Sequence, residues 1–196
     1  MNSEPLSHPH VFPKTEELAA ASISPQFIAA LEALGGFRSE ETFNQFCKGA
    51  IAAWQKANSV NASPSRQFSE LLSQIKANKP GTIPTPWGGV VVEKYLHPEV
   101  EKYLVVRRNG YLAFEKHAEK IETIIVEEGT GLLVYRPQDE RGFSLKLLVP
   151  GQSAHFEPGY EHCVIGLDNL LIKERSTDPK GMDKDLIFIF SPAASN

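Results

Sequence analysis

The chain has 196 residues, of which 41% are hydrophobic and 22% are charged, and its formal net charge is −4. That length predicts one domain, or one domain with a sizeable extension. The small negative charge gives no electrostatic reason to expect a nucleic acid or an anionic membrane as a partner. No stretch approaches the roughly 18 apolar residues of a membrane span. The first residues also lack the basic start and apolar core of a secretory signal.

Cysteine use indicates the redox compartment. The two cysteines, Cys47 and Cys163, are far apart in the sequence and form no CxxC pair. Such sparse use argues against a disulfide scaffold and favours a reducing environment. We therefore expect a cytoplasmic protein.

Apolar residues recur at helical spacing in the first part of the chain, so residues 15–78 are predicted to form about three amphipathic helices. The first and third are opened by Ser-Pro pairs, a typical helix start. The three stripes consist of Phe27, Ile28, Leu31 and Leu34; Phe43, Phe46, Cys47, Ile51 and Trp54; and Phe68, Leu71, Leu72 and Ile75. Nothing here points to catalysis, so residues 1–80 are assigned to a helical N-terminal extension that packs on a sheet or a second subunit.

A segment rich in proline and glycine, Asn78–Gly89, is predicted to be a linker. Beyond it, short runs of β-branched and aromatic residues alternate with turn signals. Many short strands at regular spacing favour an antiparallel sandwich or barrel, which we assign to residues 81–196. The predicted strands are Val90–Tyr95, Tyr103–Arg107, Tyr111–Lys116, Thr123–Val126, Leu132–Tyr135, Ser144–Val149, Ala154–Phe156, Cys163–Ile165, Leu170–Glu174 and Leu186–Phe190.

The charged stretch FEKHAEKIETIIVEEGTG, Phe114 to Gly131, is a candidate metal site. If it begins as a strand, period-two alternation places Glu115, His117 and Glu119 on one face. A turn could then bring Glu122 back across from His117. Carboxylates combined with an imidazole suit Zn, Mn or Fe(II). A solvated, salt-bridged edge strand explains this stretch equally well when it is considered alone.

A downstream segment, residues 147–178, supplies His162, and with it the chain resembles the cupin superfamily. The cupin pattern joins G-x5-H-x-H-x(2–4)-E-x6-G to a later G-x5-P-x-G-x2-H. In this chain Glu122-x6-Gly129 and Gly151-x7-Gly159-x2-His162 keep the family's spacing. The resemblance implies a single jelly-roll barrel of the double-stranded β-helix type, mainly β, behind the helical extension.

Within the superfamily, the chain is similar to the branch that contains type II mannose-6-phosphate isomerases. The similarity covers roughly residues 84–190. In addition to the charged stretch, three short motifs support this similarity: Thr85-Pro86-Trp87-Gly88, Pro150-Gly151-Gln152-Ser153 and Gly159-Tyr160-Glu161-His162. It implies a small-molecule substrate, a sugar or sugar phosphate, and a homodimer.

The resemblance also implies a divalent metal ion, Zn, Mn or Fe. Its ligands would be His117, Glu119, Glu122 and His162, with Glu115 as a further acidic donor. Glu119 stands where the branch has a histidine, so the site would be rich in acids. An alternative register, counted from Gly110, puts Lys116 and Ala118 at the histidine positions and gives a degraded metal site.

The leading functional hypothesis is an aldose–ketose isomerase, in which the ion polarises substrate oxygens and a side chain moves a proton between two carbons. The candidate catalytic residues are Glu119, Lys120, Glu157 and Arg175, and the candidate substrate-binding residues are Lys116, His155 and Arg107. Two alternatives stay open. One is an Fe(II)-dependent dioxygenase that uses His117, Glu122 and His162. The other is a non-enzymatic ligand-binding module with the helical region as its partner surface.

Overall fold

The helical region folds as predicted within the part of the chain that a computed structural model describes, residues 14–15, 18, 23–58, 63–138, 140 and 142–192. Its helices are α1 (Pro25–Leu34), α2 (Glu40–Ala57) and α3 (Arg66–Lys76). Among the described residues, no helix has the length and apolar character that crossing a membrane requires.

Serine caps fix where α2 and α3 begin. The Ser39 hydroxyl accepts a hydrogen bond from the Thr42 backbone N–H at 3.2 Å, and the Thr42 hydroxyl accepts one from the Ser39 N–H at 3.0 Å. This reciprocal arrangement is a capping box. Helix α3 is capped by Ser65, whose hydroxyl accepts from the Phe68 N–H at 3.0 Å. The helix therefore begins slightly after the Ser-Pro pair that predicted it.

The strands form the predicted mainly β barrel from two antiparallel sheets. One sheet has the order β1-β2-β3-β10-β5-β8, and the other has the order β11-β4-β9-β6-β7. Several strands that are adjacent in space, such as β3 with β10, β5 with β10 and β4 with β9, are distant in sequence, as a jelly roll requires. The strands are β1 (Thr82–Thr85), β2 (Gly88–Leu96), β3 (Glu99–Val106), β4 (Phe114–His117), β5 (Ile121–Glu128), β6 (Gly131–Arg136), β7 (Ser144–Leu148), β8 (Ser153–Phe156), β9 (Glu161–Gly166), β10 (Leu170–Thr177) and β11 (Leu186–Phe190).

The predicted linker Asn78–Gly89 contains a strand that the sequence did not indicate. Strand β1 forms a hairpin with β2, in which Thr82 is opposite Val91 and Thr85 is opposite Gly88. Because β1 is the edge of its sheet, Pro84 can lie in it despite lacking an N–H group. The same prolines that signalled a linker are thus compatible with an edge strand.

The helices share a hydrophobic core with the barrel. Phe27, Phe43 and Phe46 from α1 and α2 are buried in one cluster with Phe114 of β4 and Cys163 of β9. At the centre of this cluster, the ring of Phe37 lies between 4.8 and 5.9 Å from five other phenylalanine rings, measured between centroids. Helix α3 packs separately on the outer face of β2, β3 and β10.

A truncation at the shared core tests whether helices and barrel unfold together. Phe43 is fully buried, so Phe43→Ala should lower the free energy of unfolding by about 3–5 kcal/mol. Phe188→Ala, at a side chain that is 60% exposed, is the control and should change it by about 0.5 kcal/mol or less. Denaturant unfolding followed by circular dichroism measures both. Two separated transitions, with only the helical one shifted by Phe43→Ala, would contradict the shared core.

Candidate functional site

The candidate site is a cavity of about 500 Å³ that both sheets line. A volume of this size suits a small molecule. Part of its wall is apolar and includes Trp87, Leu104, Ile124, Val164 and Phe188. The rest carries eight ionisable side chains: Lys102, Glu115, His117, Lys120, Glu122, His162, Glu174 and Asp183.

The buried ammonium of Lys120 lies at the centre of the charged part. Its Nζ is 2.5 Å from Glu122 Oε2, 2.7 Å from Glu174 Oε1 and 2.7 Å from Asp183 Oδ1. Burial opposes the charged form of Lys120, but these carboxylates outweigh burial and hold its pKa well above the ordinary value. Lys120 is therefore a permanent cation inside the barrel.

A second buried lysine extends the network. Lys102 Nζ lies 3.3 Å from Glu174 Oε1 and donates a short hydrogen bond to Asp183. Burial raises the pKa of Asp183, but Lys102 and Lys120 outweigh it and lower that pKa to about 2. Asp183 and Glu174 therefore each bridge the two ammonium groups.

His162 pairs with the same network through Glu122. Its Nε2 is 2.8 Å from Glu122 Oε1, and its Nδ1 is 3.3 Å from the backbone oxygen of Tyr160. Both partners accept hydrogen bonds, so both ring nitrogens carry protons when both bonds are made. Burial alone would lower the pKa of His162, but Glu122 outweighs it and raises that pKa. The ring is also stacked on Phe156, with centroids 4.2 Å apart.

One carboxylate, Asp185, organises the end of strand β4. Its Oδ1 accepts from His117 Nδ1 at 2.9 Å, and its Oδ2 accepts from the backbone N–H groups of Glu119 and Lys120, both at 2.8 Å. The Nε2 of His117 lies 3.4 Å from Lys120 Nζ, and because an ammonium group can only donate, Nε2 is the acceptor of any hydrogen bond between them. The turn held by Asp185 points Lys120, and not Glu119, into the barrel.

Glu115 differs from the other carboxyl groups of the cavity because it makes no hydrogen bond or ion pair with any residue in the described ranges. It is half-buried and its Cα is paired with that of His162 across β4 and β9. Burial is the main cause that raises its pKa to about 7. Near neutral pH the group can therefore both accept and release a proton.

Glu119 lies away from this cavity, although alternation predicted it on the same face as Glu115 and His117. Strand β4 ends at His117, so the alternation stops before Glu119. The side chain of Glu119 is 48% exposed and pairs with Lys180 at 3.1 Å. The predicted role of Glu119, as ligand or as base, has no support in its position.

The other predicted polar residues also lie outside the cavity lining. Lys116 is 3.8 Å from Glu161, and exposed His155 pairs with exposed Glu157 at 3.1 Å. Arg107 donates to the backbone oxygen of Pro86 at 2.6 Å, and Arg175 is 60% exposed beside Glu101. The structure thus brings together Glu115, His117, Lys120, Glu122 and His162 from the predicted set and leaves the remaining members on the surface.

The side chains, as arranged, do not fit a metal ion. Among the residues that the structure describes, no group of three or more His, Cys, Asp or Glu side chains is placed to hold one. The Nε2 of His162 faces Glu122, and the Nε2 of His117 faces the Lys120 ammonium. A metal ligand must present a lone pair to the ion, and neither imidazole does so. No metal site is shown, and the divalent ion stays a prediction.

Sequence reasoning missed four members of the site: Lys102, Glu174, Asp183 and Asp185. Period-two alternation puts Lys102 on the face of Leu104 and puts Glu174 on the face of Ile172, so alternation could have marked both as inward-facing. Asp183 and Asp185 lie in the β10–β11 loop, which no local pattern marks. Asp178 shapes that loop by accepting from the N–H groups of Gly181 and Asp183, both at 2.8 Å.

The raised pKa of Glu115 predicts a pH-dependent cost to stability. The native state holds this proton up to a pKa of about 7, whereas the unfolded state releases it near its ordinary value. The contribution of Glu115 to wild-type stability should therefore fall as pH rises between these two values, and Glu115→Gln should remove that contribution.

Melting temperatures of the wild type and Glu115→Gln, measured from about pH 4.5 to 8, test this prediction. Glu127→Gln, at an exposed position of β5, is the matched control and should behave like the wild type. A constant difference in melting temperature between Glu115→Gln and the wild type across that range would contradict the prediction.

Comparisons with known proteins add no closer assignment. No family model and no curated protein matches the chain. Solved structures that it resembles include CapF, a capsular polysaccharide assembling protein from Staphylococcus aureus, at 13% identity and a TM-score of 0.49, covering 56% of this chain and 31% of that one. An oxalate decarboxylase from Lactobacillus farciminis has 12% identity and a TM-score of 0.48, covering 55% and 33%. Procruciferin, an 11S globulin from Brassica napus, has 12% identity and a TM-score of 0.48, covering 57% and 30%.

The matched region spans no more than a third of each of these longer chains. Likeness at this level does not assign an activity, because one barrel fold serves many functions. The chain's own sheet order is what shows the jelly-roll barrel.

Proposed function

We propose that the barrel cavity is the active site of an aldose–ketose isomerase acting on an uncharged sugar. The observation that carries the proposal is the position of Glu115, an unpaired carboxyl group in a small-molecule cavity that also holds a buried ammonium and a hydrogen-bonded imidazole. Proton transfer between two carbons needs a base, a group that exchanges protons with oxygen, and a positive charge near the intermediate.

The lining of the cavity supports a polar but compact substrate. Its volume of about 500 Å³ accommodates a monosaccharide. Trp87 and Phe188 give apolar surface on which the C–H groups of a sugar ring or chain can pack, and the ionisable side chains supply partners for its hydroxyl groups.

The charges favour an uncharged sugar over a sugar phosphate. Among the described residues that line the cavity, the lysines and arginines are Lys102 and Lys120, and both form ion pairs with carboxylates. The predicted arginines, Arg107 and Arg175, are outside the lining. A phosphate dianion would therefore lie among Glu115, Glu122 and Asp183, and the two lysines nearest to it already share their charge with carboxylates.

In the proposed reaction, ionised Glu115 removes the proton from C2 of the open-chain aldose. The Nε2 proton of His162 leaves its hydrogen bond with Glu122 and passes to the carbonyl oxygen on C1, which forms an enediol. Glu115 then returns its proton to C1, while the hydroxyl proton on O2 passes to His162 and leaves the ketone at C2. Lys120 stabilises negative charge on the oxygens during both transfers. Every group ends in its starting protonation state.

One observation favours the ligand-binding module as a second candidate. Lys102 and Lys120 are each ion-paired with carboxylates of Glu122, Glu174 or Asp183, so the interior holds these charges in pairs without a substrate. In that case the cavity binds a small molecule without converting it. The dioxygenase requires His117, Glu122 and His162 to hold iron, so it depends on the metal test described below.

An isomerase assay separates these functions. Mannose, lyxose and mannose 6-phosphate are each incubated with the protein, with chelator present and with Mn, Zn or Co added, and ketose formation is measured. We expect the neutral aldoses to be converted in the presence of chelator and the phosphate ester to be left unchanged. Glu115→Gln should lower kcat by about 100-fold or more, since general-base catalysis contributes about that factor. Glu127→Gln should retain wild-type activity.

The absence of ketose under every condition would overturn the isomerase. A rise in melting temperature with the same sugars would then support the ligand-binding module. Conversion of mannose 6-phosphate in preference to mannose would contradict the uncharged-substrate assignment.

A further inference from the structure

We infer that the Lys120 ammonium is the resident cation of this cavity, so that the site is built to operate without a bound metal ion. The inference concerns the same cavity as the proposed isomerase but does not require that activity. It rests on the contacts of the lysine, on the balance of buried charge and on the orientation of the two imidazoles.

Side chains from four separate elements contact the Lys120 ammonium. Glu122 comes from β5, Glu174 from β10, Asp183 from the β10–β11 loop and His117 from β4, and all four lie within 3.4 Å of Lys120 Nζ. Carboxylate oxygens and an imidazole nitrogen are the groups that would otherwise bind a divalent ion. Here they surround a side-chain cation.

The carboxylates that contact the two lysines leave one net negative charge, which is less than a dication requires. Glu122, Glu174 and Asp183 contribute three negative charges, and Lys102 and Lys120 contribute two positive ones. Glu122 also accepts a hydrogen bond from the imidazole of His162, so this carboxylate is already contacted on both oxygens. A divalent ion added to this cluster would leave uncompensated positive charge in a buried site, which is costly.

The lysine is also held in place along its length. Its backbone N–H is bound by Asp185 at 2.8 Å, and the residue as a whole is only 2% exposed. To admit an ion, the Lys120 side chain would have to leave the cavity, and the turn that Asp185 holds would have to rearrange. It would also have to break the His162–Glu122 hydrogen bond. The alternative, a lysine that swings out to admit a metal, therefore costs several buried contacts.

Metal content and thermal stability test the inference without any substrate. Wild-type protein purified without chelator should carry no stoichiometric metal in mass spectrometry. Its melting temperature should not change on addition of a chelator or of Mn, Zn or Co. One ion per chain that is lost in His162→Ala, with a lower melting temperature after chelation of the wild type, would overturn the inference.

The Lys120→Ala variant provides a second, independent test. Removing the ammonium leaves three buried carboxylates short of a cation, so the melting temperature should fall by roughly 10 °C. Added Mn or Zn should then restore part of that loss, because the vacated position is surrounded by oxygen and nitrogen donors. Lys48→Ala, at an exposed position of α2, is the control. Its melting temperature should equal that of the wild type and should not change when metal is added.

A Lys120→Ala protein as stable as the wild type without metal would contradict the inference, because the cation would then be dispensable. If this variant does not fold, the wild-type metal measurements still decide the question. Their outcome is independent of the isomerase assay, so failure of one proposal can be told from failure of the other.

Discussion

Two lysines inside the barrel constrain everything around them, because an isolated buried charge is one of the most unfavourable features a protein interior can hold. Lys120 is compensated by Glu122, Glu174 and Asp183 at 2.5 to 2.7 Å. Each of those carboxylates would itself be unfavourable without the lysines. The groups therefore need one another, and removing one partner leaves an uncompensated charge behind.

The position of this ion network depends on Asp185. By accepting from His117 and from the backbone of Glu119 and Lys120, it ends strand β4 and turns the chain inward. The same carboxylate orients the His117 ring so that its Nε2 meets the Lys120 ammonium. A loop between β10 and β11 thus decides which of two neighbouring side chains enters the cavity.

The helical region supports the barrel wall that carries the site. Phe114 begins β4 and is buried against Phe37 and Phe43, whereas Glu115 and His117, later in β4, line the cavity. Cys163 follows His162 on β9 and packs into the same cluster as the helices. Side chains from β4 and β9 therefore alternate between a hydrophobic interface with the helices and a charged interior.

The sequence by itself determined the fold class and part of the cavity. Helical periodicity up to residue 78 and short alternating strands after it are local properties, so they could be interpreted without tertiary information. Alternation and motif spacing also selected Glu115, His117, Glu122 and His162, which the structure brings into one cavity. Alternation could place Glu115 and His117 on one face because the side-chain period of a strand is fixed by backbone geometry.

Only the tertiary structure decided which cation the cavity contains. The sequence placed Glu119 inward because it extended the alternation of β4 by two residues, whereas Asp185, more than sixty residues later, ends that strand and brings in Lys120. Lys102, Glu174 and Asp183 compensate the ammonium from distant parts of the chain. Compensation of a buried charge depends on distances of a few ångströms between such segments, and no local pattern carries that information.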